Sequence, residues 1–598
     1  MRHPLAHVCA LLLLAAVVPP AAATDGPKGG DGPTRPLTDR GRDNLVAFAR
    51  LLGFVRHFHP SDEVMAADWL GVAVEGAARV EGAESPADLA RRLSEVFAPL
   101  APTLAVYPTA DGPPPAAAAS KGERLLARRH LSVPARDAPD GVGTRFDLKA
   151  AKPSPLPTVD KIDPPDPERP FIADLGGSVS CRMPLVVVAD AEHTLPQGAA
   201  PRPKPVAPAG GPDRATRLAG VVLLWNEAQH FYPYFDVVKT DWPAVLPAAL
   251  AAAAEAGDDA TYLPVLRRLL SALRDGHAAV MPRNPTLPSY PPLRWDWIED
   301  RLAVVRVADG VAARPGDVVV KIDGVPAATA LERWDAPAPG ATPGFRRRMA
   351  MTGLAAGPAD SALTLVLRGP DGAEREVTVR RALAFAAFRA LGSEPRAAPV
   401  CEIRPGVWYV DLDADKPKEF DAALPKIAAA KGVVFDLRGY PQLGQSLTAP
   451  LDYLCDKPVP APPVLLPVVQ YPDRQQMTFV VGRSLTFTPK EPRITGKVAF
   501  LTDARAISAA ETFLASVQHH KLGTVFGSPT AGTNGNVRFV RLPGGYLAQF
   551  TGLKVTNYDG SAFHGRGVRP DVPVARTLRG VSEGRDEILE AAVKWAGE

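Results

Sequence analysis

Cysteine is nearly absent from this chain of 598 residues: there are four, and Cys9 lies in an apolar leader. The remaining three, Cys181, Cys401 and Cys455, leave room for one bridge at most and show no metal-ligand spacing, which excludes a disulfide scaffold and a cysteine-built metal centre. Charge of one sign is also lacking. Lys and Arg number 68 against 65 Asp and Glu, a net +3 that argues against a nucleic-acid partner or an anionic surface. Past the leader no run is apolar enough to cross a bilayer. What is abundant is proline, 65 residues, with a cluster between Pro113 and Pro212 that favours loops, linkers and short strands there.

The opening MRHPLAHVCALLLLAAVVPPAAATDG has a basic start, an apolar run from Val8 to Val18 and small residues up to Ala23, the pattern of a cleaved export signal over 1–23. An exported chain, periplasmic or secreted, is expected. Its length is too great for one core and implies several domains. Asn44–Trp69 and Ala215–Trp242 repeat each other: His57-Phe58-x-Pro60 aligns with His230-Phe231-x-Pro233, and Asp68-Trp69 aligns with Asp241-Trp242. A duplicated helical segment follows, with a first copy over 37–103 and a second over 213–285. Residues 104–212 between them read as a Pro-rich linker with a small β-rich insert. In the second copy Leu263, Leu266, Leu270 and Leu273 form one helical stripe, and Gly276 stands where the helix is expected to end. Only this copy continues into Asp275-Gly276-His277. His57 and His230, beside Phe and Pro, read as structural.

Short strands and turns fill 293–385. The order strand, Pro315-Gly316-Asp317, apolar strand, Asp323-Gly324, helix, hairpin across Gly369–Gly372 resembles a PDZ domain, which would engage an extended peptide or C-terminus. From 395 to 598 strands alternate with helices, which implies an α/β core with a mostly parallel sheet. There KVAFLTD runs directly into the helix of ARAISAAETFLASVQ. Ser508 and Glu511 have the spacing of a capping box. A serine at such a strand-to-helix corner is also well placed for acyl-transfer chemistry, because the first helical amides can hold a developing oxyanion.

Five motifs occur in order: LRDGHAAV, the PDZ-like insert, VVFDLRGYP, SAAE after a strand, and GVRPDVPV. From about Ala215 to the end the chain therefore resembles the C-terminal processing and tricorn-type serine peptidases, serine peptidase family 41. The resemblance implies a ClpP/crotonase-like core, a polypeptide substrate, and neither metal nor other cofactor. One catalytic arrangement of that family needs a Lys where this chain has Thr533. The other uses the His of D-G-H, so the resemblance implies Ser508 as nucleophile and His277 as base. It also implies an oxyanion hole from the amides of Ala509 and Gln442. Asp559 is a candidate supporting acid, and Glu511 another, though Glu511 reads better as a cap partner.

Two departures bear on function. The family loop D-L-R-x-N-x-G-G appears here as Asp436-Leu437-Arg438-Gly439-Tyr440-Pro441-Gln442-Leu443, with side chains in place of both glycines. His564-Gly565-Arg566 stands where an acid is usual. Two further readings stay open: a catalytically impaired peptide-binding member, and a hydrolase of small acyl compounds.

Overall fold

The computed structural model describes residues 34–115, 122–131, 144–150, 159–199, 213–285, 287–441, 449–482 and 484–598. The expected signal, 1–23, and the loop residue Gln442 lie outside them, as does much of the Pro-rich stretch.

The two repeats do not fold apart. Helix α1 (Asp39–Phe58) starts at Thr38, whose hydroxyl accepts from Gly41 N, and its apolar side packs on α2 (Trp69–Val80) and α3 (Pro86–Phe97). The second copy supplies α4 (Arg214–Phe231), α5 (Trp242–Glu255) and α6 (Asp259–Ser271). Nearly every residue of α4 is buried, because it runs between α1, α2 and α5. Asn226 donates to Ala49 O at 2.8 Å, and a Cβ on Gly53 would come within 1.9 Å of Asn226 Oδ1, so the two copies meet backbone to side chain in one shared core. The aligned tryptophans each open a helix behind an Asp. Trp225 and Trp242 tie α4 to α5 by reciprocal indole-to-carbonyl bonds of 3.1 Å. The insert adds small antiparallel sheets, among them Phe171–Gly176 beside Val179–Met183, which cover α1.

Helix α6 ends at Ser271 rather than at Gly276. Arg274 takes the left-handed conformation (φ 51°) that closes it, and Tyr232 OH and Thr240 Oγ1 donate to the carbonyls of Leu273 and Ala272. The chain then passes Asp275-Gly276-His277 into strand β1 (Ala279–Met281).

A five-strand antiparallel path, β2 (Leu293–Ile298), β3 (Arg301–Val307), β4 (Val318–Ile322), β5 (Ala362–Arg368) and β6 (Glu374–Arg380), makes the next domain in the order β6-β5-β4-β3-β2. Helices α7 (Ala327–Asp335) and α8 (Pro343–Ala355) pack against it. The C-terminal sheet contains β7 (Val400–Arg404), β8 (Val407–Asp411), β9 (Gly432–Asp436), β10 (Lys497–Thr502) and β11 (Thr524–Gly527), with α9 (Pro417–Ala428) and α10 (Ala509–His519) packed into its core. Pairings from β8 through β11 are parallel, and β7 joins antiparallel. Elsewhere antiparallel pairing prevails. One such hairpin, β12 (Val537–Leu542) and β13 (Tyr546–Thr551), carries β1 on its edge, so the strand after His277 belongs to the same sheet as Thr551. The last strand, β14 (Val572–Pro573), pairs parallel with β11, and α11 (Glu587–Gly597) closes the domain. Cys181, Cys401 and Cys455 are unbridged.

Candidate active site

Strand β10 delivers the chain to the corner before α10. Ser508 sits there at φ 60°, ψ −114°, a backbone state that costs a non-glycine residue about 1–3 kcal/mol and has to be held from outside. Its N–H donates to Thr533 O at 2.9 Å and to Glu511 Oε2 at 3.2 Å, while Glu511 N and Thr512 N close on its carbonyl. Ala509 follows as the first helical residue. Among the described residues its amide has no hydrogen-bond acceptor, as expected for an orphan donor at a helix start.

Glu511 does more than cap. It is fully buried and takes four donors: Ser508 N, Gly532 N at 2.6 Å, Thr533 N at 2.9 Å and Thr530 Oγ1. Burial pushes its carboxyl up to about 8, with the hydrogen bonds pulling the other way. Its role in the geometry is to weld the serine corner to the turn Thr530–Asn534.

Thr533 carries the weld further. Its N–H goes to Glu511, its carbonyl accepts from Ser508 N, and its hydroxyl accepts from Gly276 N at 3.0 Å. A Cβ on Gly276 would lie 2.9 Å from Thr533 Oγ1, 3.0 Å from Ile507 Cδ1 and 3.2 Å from Phe345 Cε1. Glycine is thus demanded by close approach, and that approach sets Asp275-Gly276-His277 against the residue that precedes Ser508.

His277 is buried and held on two sides. Gln549 Nε2 donates to its carbonyl at 3.0 Å, and its Nδ1 lies 2.9 Å from Thr551 Oγ1. Thr551 donates its hydroxyl proton to Asp275 Oδ1 (2.8 Å) and its amide to Asp275 Oδ2 (2.6 Å), and Asp275 Oδ1 also accepts from His277 N. With the Thr551 proton committed to Asp275, the short contact to His277 needs a proton on Nδ1, which leaves Nε2 with the lone pair. Burial lowers the imidazole pKa, and Asp275 opposes that shift. Ser508 and His277 share no direct hydrogen bond among the described residues; Thr533 and Gly276 connect their backbones.

Asp559 is remote in environment: it is exposed and accepts from Ser561 N within its own turn. His564 instead enters the site's surroundings, stacked on Tyr234 at 4.2 Å, with Nε2 3.1 Å from Arg274 O. Asp275 and Thr551 emerge as the partners of His277.

Below the corner lies a buried charge network. Arg438, 1% exposed, meets Asp436 through Nε and Nη2 and Asp586 through Nη1 and Nη2, at 2.6–3.0 Å. Arg396 joins Glu394, Asp411 and the Arg438 carbonyl, and Arg505 links Glu394 to Asp503. The loop after β9 is thereby fixed at its base as far as Gly439, whose Cβ would fall 2.7 Å from Asp413 Oδ2.

Residues 407–574 match the model of peptidase family S41. A probable CtpA-like serine protease of Staphylococcus haemolyticus is 36% identical over 80 residues, which are 13% of this chain and 16% of that protein, so the match spans only a small part of the relative. Among solved structures, mature CPAF complexed with lactacystin aligns with TM-score 0.50 at 15% identity, over 64% of this chain and 98% of that one. A CPAF mutant aligns at TM-score 0.53 and 16% identity, over 64% and 96%. At these identities the likeness is one of fold. The Ser508 corner thus falls within the stretch, residues 407–574, that is similar to peptidase family S41.

Proposed function

We propose that the protein is an exported serine peptidase that cleaves polypeptides with Ser508 as nucleophile and His277 as base. His277 Nε2 takes the Ser508 proton as Oγ attacks the scissile carbonyl, and later returns it to the leaving amine. Charge that appears on the imidazole is stabilised through Nδ1–H, the Thr551 hydroxyl and Asp275. The Ala509 amide, at the positive end of α10, and the Gln442 amide of the loop after β9 hold the oxyanion. The domain of β2–β6 is read as PDZ-like, presenting an extended peptide or C-terminus to the corner. The core is read as ClpP/crotonase-like. Export rests on the leader sequence, and no described helix is long and apolar enough to cross a membrane.

One observation carries the reading. Thr533 binds the Ser508 amide with its carbonyl and the Gly276 amide with its hydroxyl, so nucleophile and base segments share a single rigid residue. A second reading, a binding-only member, draws on Gln442 and Leu443 where the family loop has glycines. A fluorophosphonate reagent separates the two. Wild-type protein is expected to label at Ser508, with labelling lost in Ser508→Ala and reduced at least about a hundredfold in His277→Ala, the lower range of base catalysis. Well-folded wild-type protein that fails to label supports the binding-only member. A digest of a peptide library then tells a peptidase from a hydrolase of small esters.

A further inference from the structure

A cavity of about 320 Å³ opens between the antiparallel domain and the C-terminal core, and neither Ser508 nor His277 lines it. Three guanidiniums face it without a carboxylate of their own among the described residues. Arg294 lies over the Phe388 ring (4.4 Å) and donates to Ser393 Oγ. Arg347 lies over Trp297 at 4.5 Å. Among the described residues the Arg348 guanidinium reaches only Met349 Sδ and the Phe345 ring. Of the three acids that line it, Asp296 is engaged by Arg576 and Asp503 by Arg505, while Glu299 is exposed and accepts from Leu578 N. Burial pushes Arg294 and Arg348 down to about 10, and each guanidinium is pushed further by a neighbouring one: Arg348 acts on Arg294, and Arg505 acts on Arg348. At neutral pH both stay charged, so like charges face one another across a partly desolvated space, and a paired oxyanion would relieve them.

We propose that this cavity binds a small planar molecule bearing a phosphate or carboxylate head, with Arg294 and Arg348 on the head and Trp297 and Phe388 beside the ring. This site is separate from the Ser508 corner and does not depend on catalysis. Calorimetric titration of the full chain with phenyl phosphate and with phenylacetate tests it, and the stronger binder identifies the head group. At least one is expected to bind at roughly millimolar concentration or below, and benzyl alcohol, which keeps the ring without the charge, is expected not to bind. Arg348→Met, and separately Arg294→Met with Arg348→Met, are expected to weaken binding by about tenfold or more while the chain stays as resistant to unfolding without ligand. No binding of either anion at ten times that concentration would overturn the proposal. So would equal binding by the variants, or by the alcohol.

Discussion

A hydroxyl has one proton to give, and Thr551 gives its own to Asp275. That commitment fixes which nitrogen of His277 carries hydrogen, so in the proposed mechanism Thr551 is a positioning residue even though it cannot react. Replacing it with valine keeps the shape and removes the link, and fluorophosphonate labelling is expected to fall by about a hundredfold. Thr551→Ser is expected to restore most of it. The pH profile gives a second readout. Because burial lowers the His277 pKa, the neutral base persists as pH drops past the ordinary value near 6.5, and the acid limb of the labelling rate is expected below that value. Were the limb found above 6.5, burial would not be governing this histidine. Ser508, His277 and Glu511 could be picked out of the sequence because each sits in a short motif. Thr551 could not: it lies 274 positions from His277, and a hydrogen bond between distant segments leaves no local pattern. Asp275 stood in plain view beside His277, yet its function runs through that same distant residue.

At the scale of elements, strand ends and helix starts are pinned by buried charge. Arg438 closes β9 on Asp436 and joins Asp586, the residue that caps α11 by accepting from Leu589 N. Arg438→Met would leave buried Asp586 without its cation and Asp436 with only the longer contact to Arg396 at 3.9 Å, a loss of roughly 3–5 kcal/mol. Urea unfolding is expected to shift accordingly, and a shift under 1 kcal/mol would show the network to be dispensable. The strand was legible in GVVFDLRG as an apolar run ending in polar residues. The anchoring role of its arginine was not, since the partner acid sits at the far end of the chain. Gly276 shows a different limit. Sequence reasoning takes a glycine after a helix as its terminator, but Arg274 closes α6, and Gly276 is kept small by Thr533, Ile507 and Phe345.

Across the whole molecule the duplicated segments form one body, and their aligned histidines meet inside it. His57 and His230 rings lie 5.5 Å apart, with His130 beside them, and Arg56, Arg128, Arg474, Arg538 and the acids Glu227 and Asp473 around the group. Burial is the leading cause that keeps these imidazoles neutral, with His230 brought down to about 4 and the nearby His59 to about 3. The unfolded chain takes up protons below about 6.5 while the folded one resists, so stability is lost as pH falls through that window. Each of His230 and His59 accounts for roughly 2 kcal/mol at pH 5, and the unfolding midpoint is expected to drop steeply between pH 7 and 5. A flat midpoint would mean the histidines are charged in the folded state. The repeat was legible from its register, but the shared core was not, because sequence similarity does not say whether two copies sit apart or interlock. The central claim, that the Ser508 hydroxyl and His277 Nε2 serve one reaction, is tested most directly by the crystal structure of the fluorophosphonate adduct. The account expects phosphorus on Ser508 Oγ, the phosphonyl oxygen on Ala509 N, and His277 Nε2 within hydrogen-bond reach of the adduct. An adduct on another residue, or His277 turned away from a modified Ser508, would contradict it.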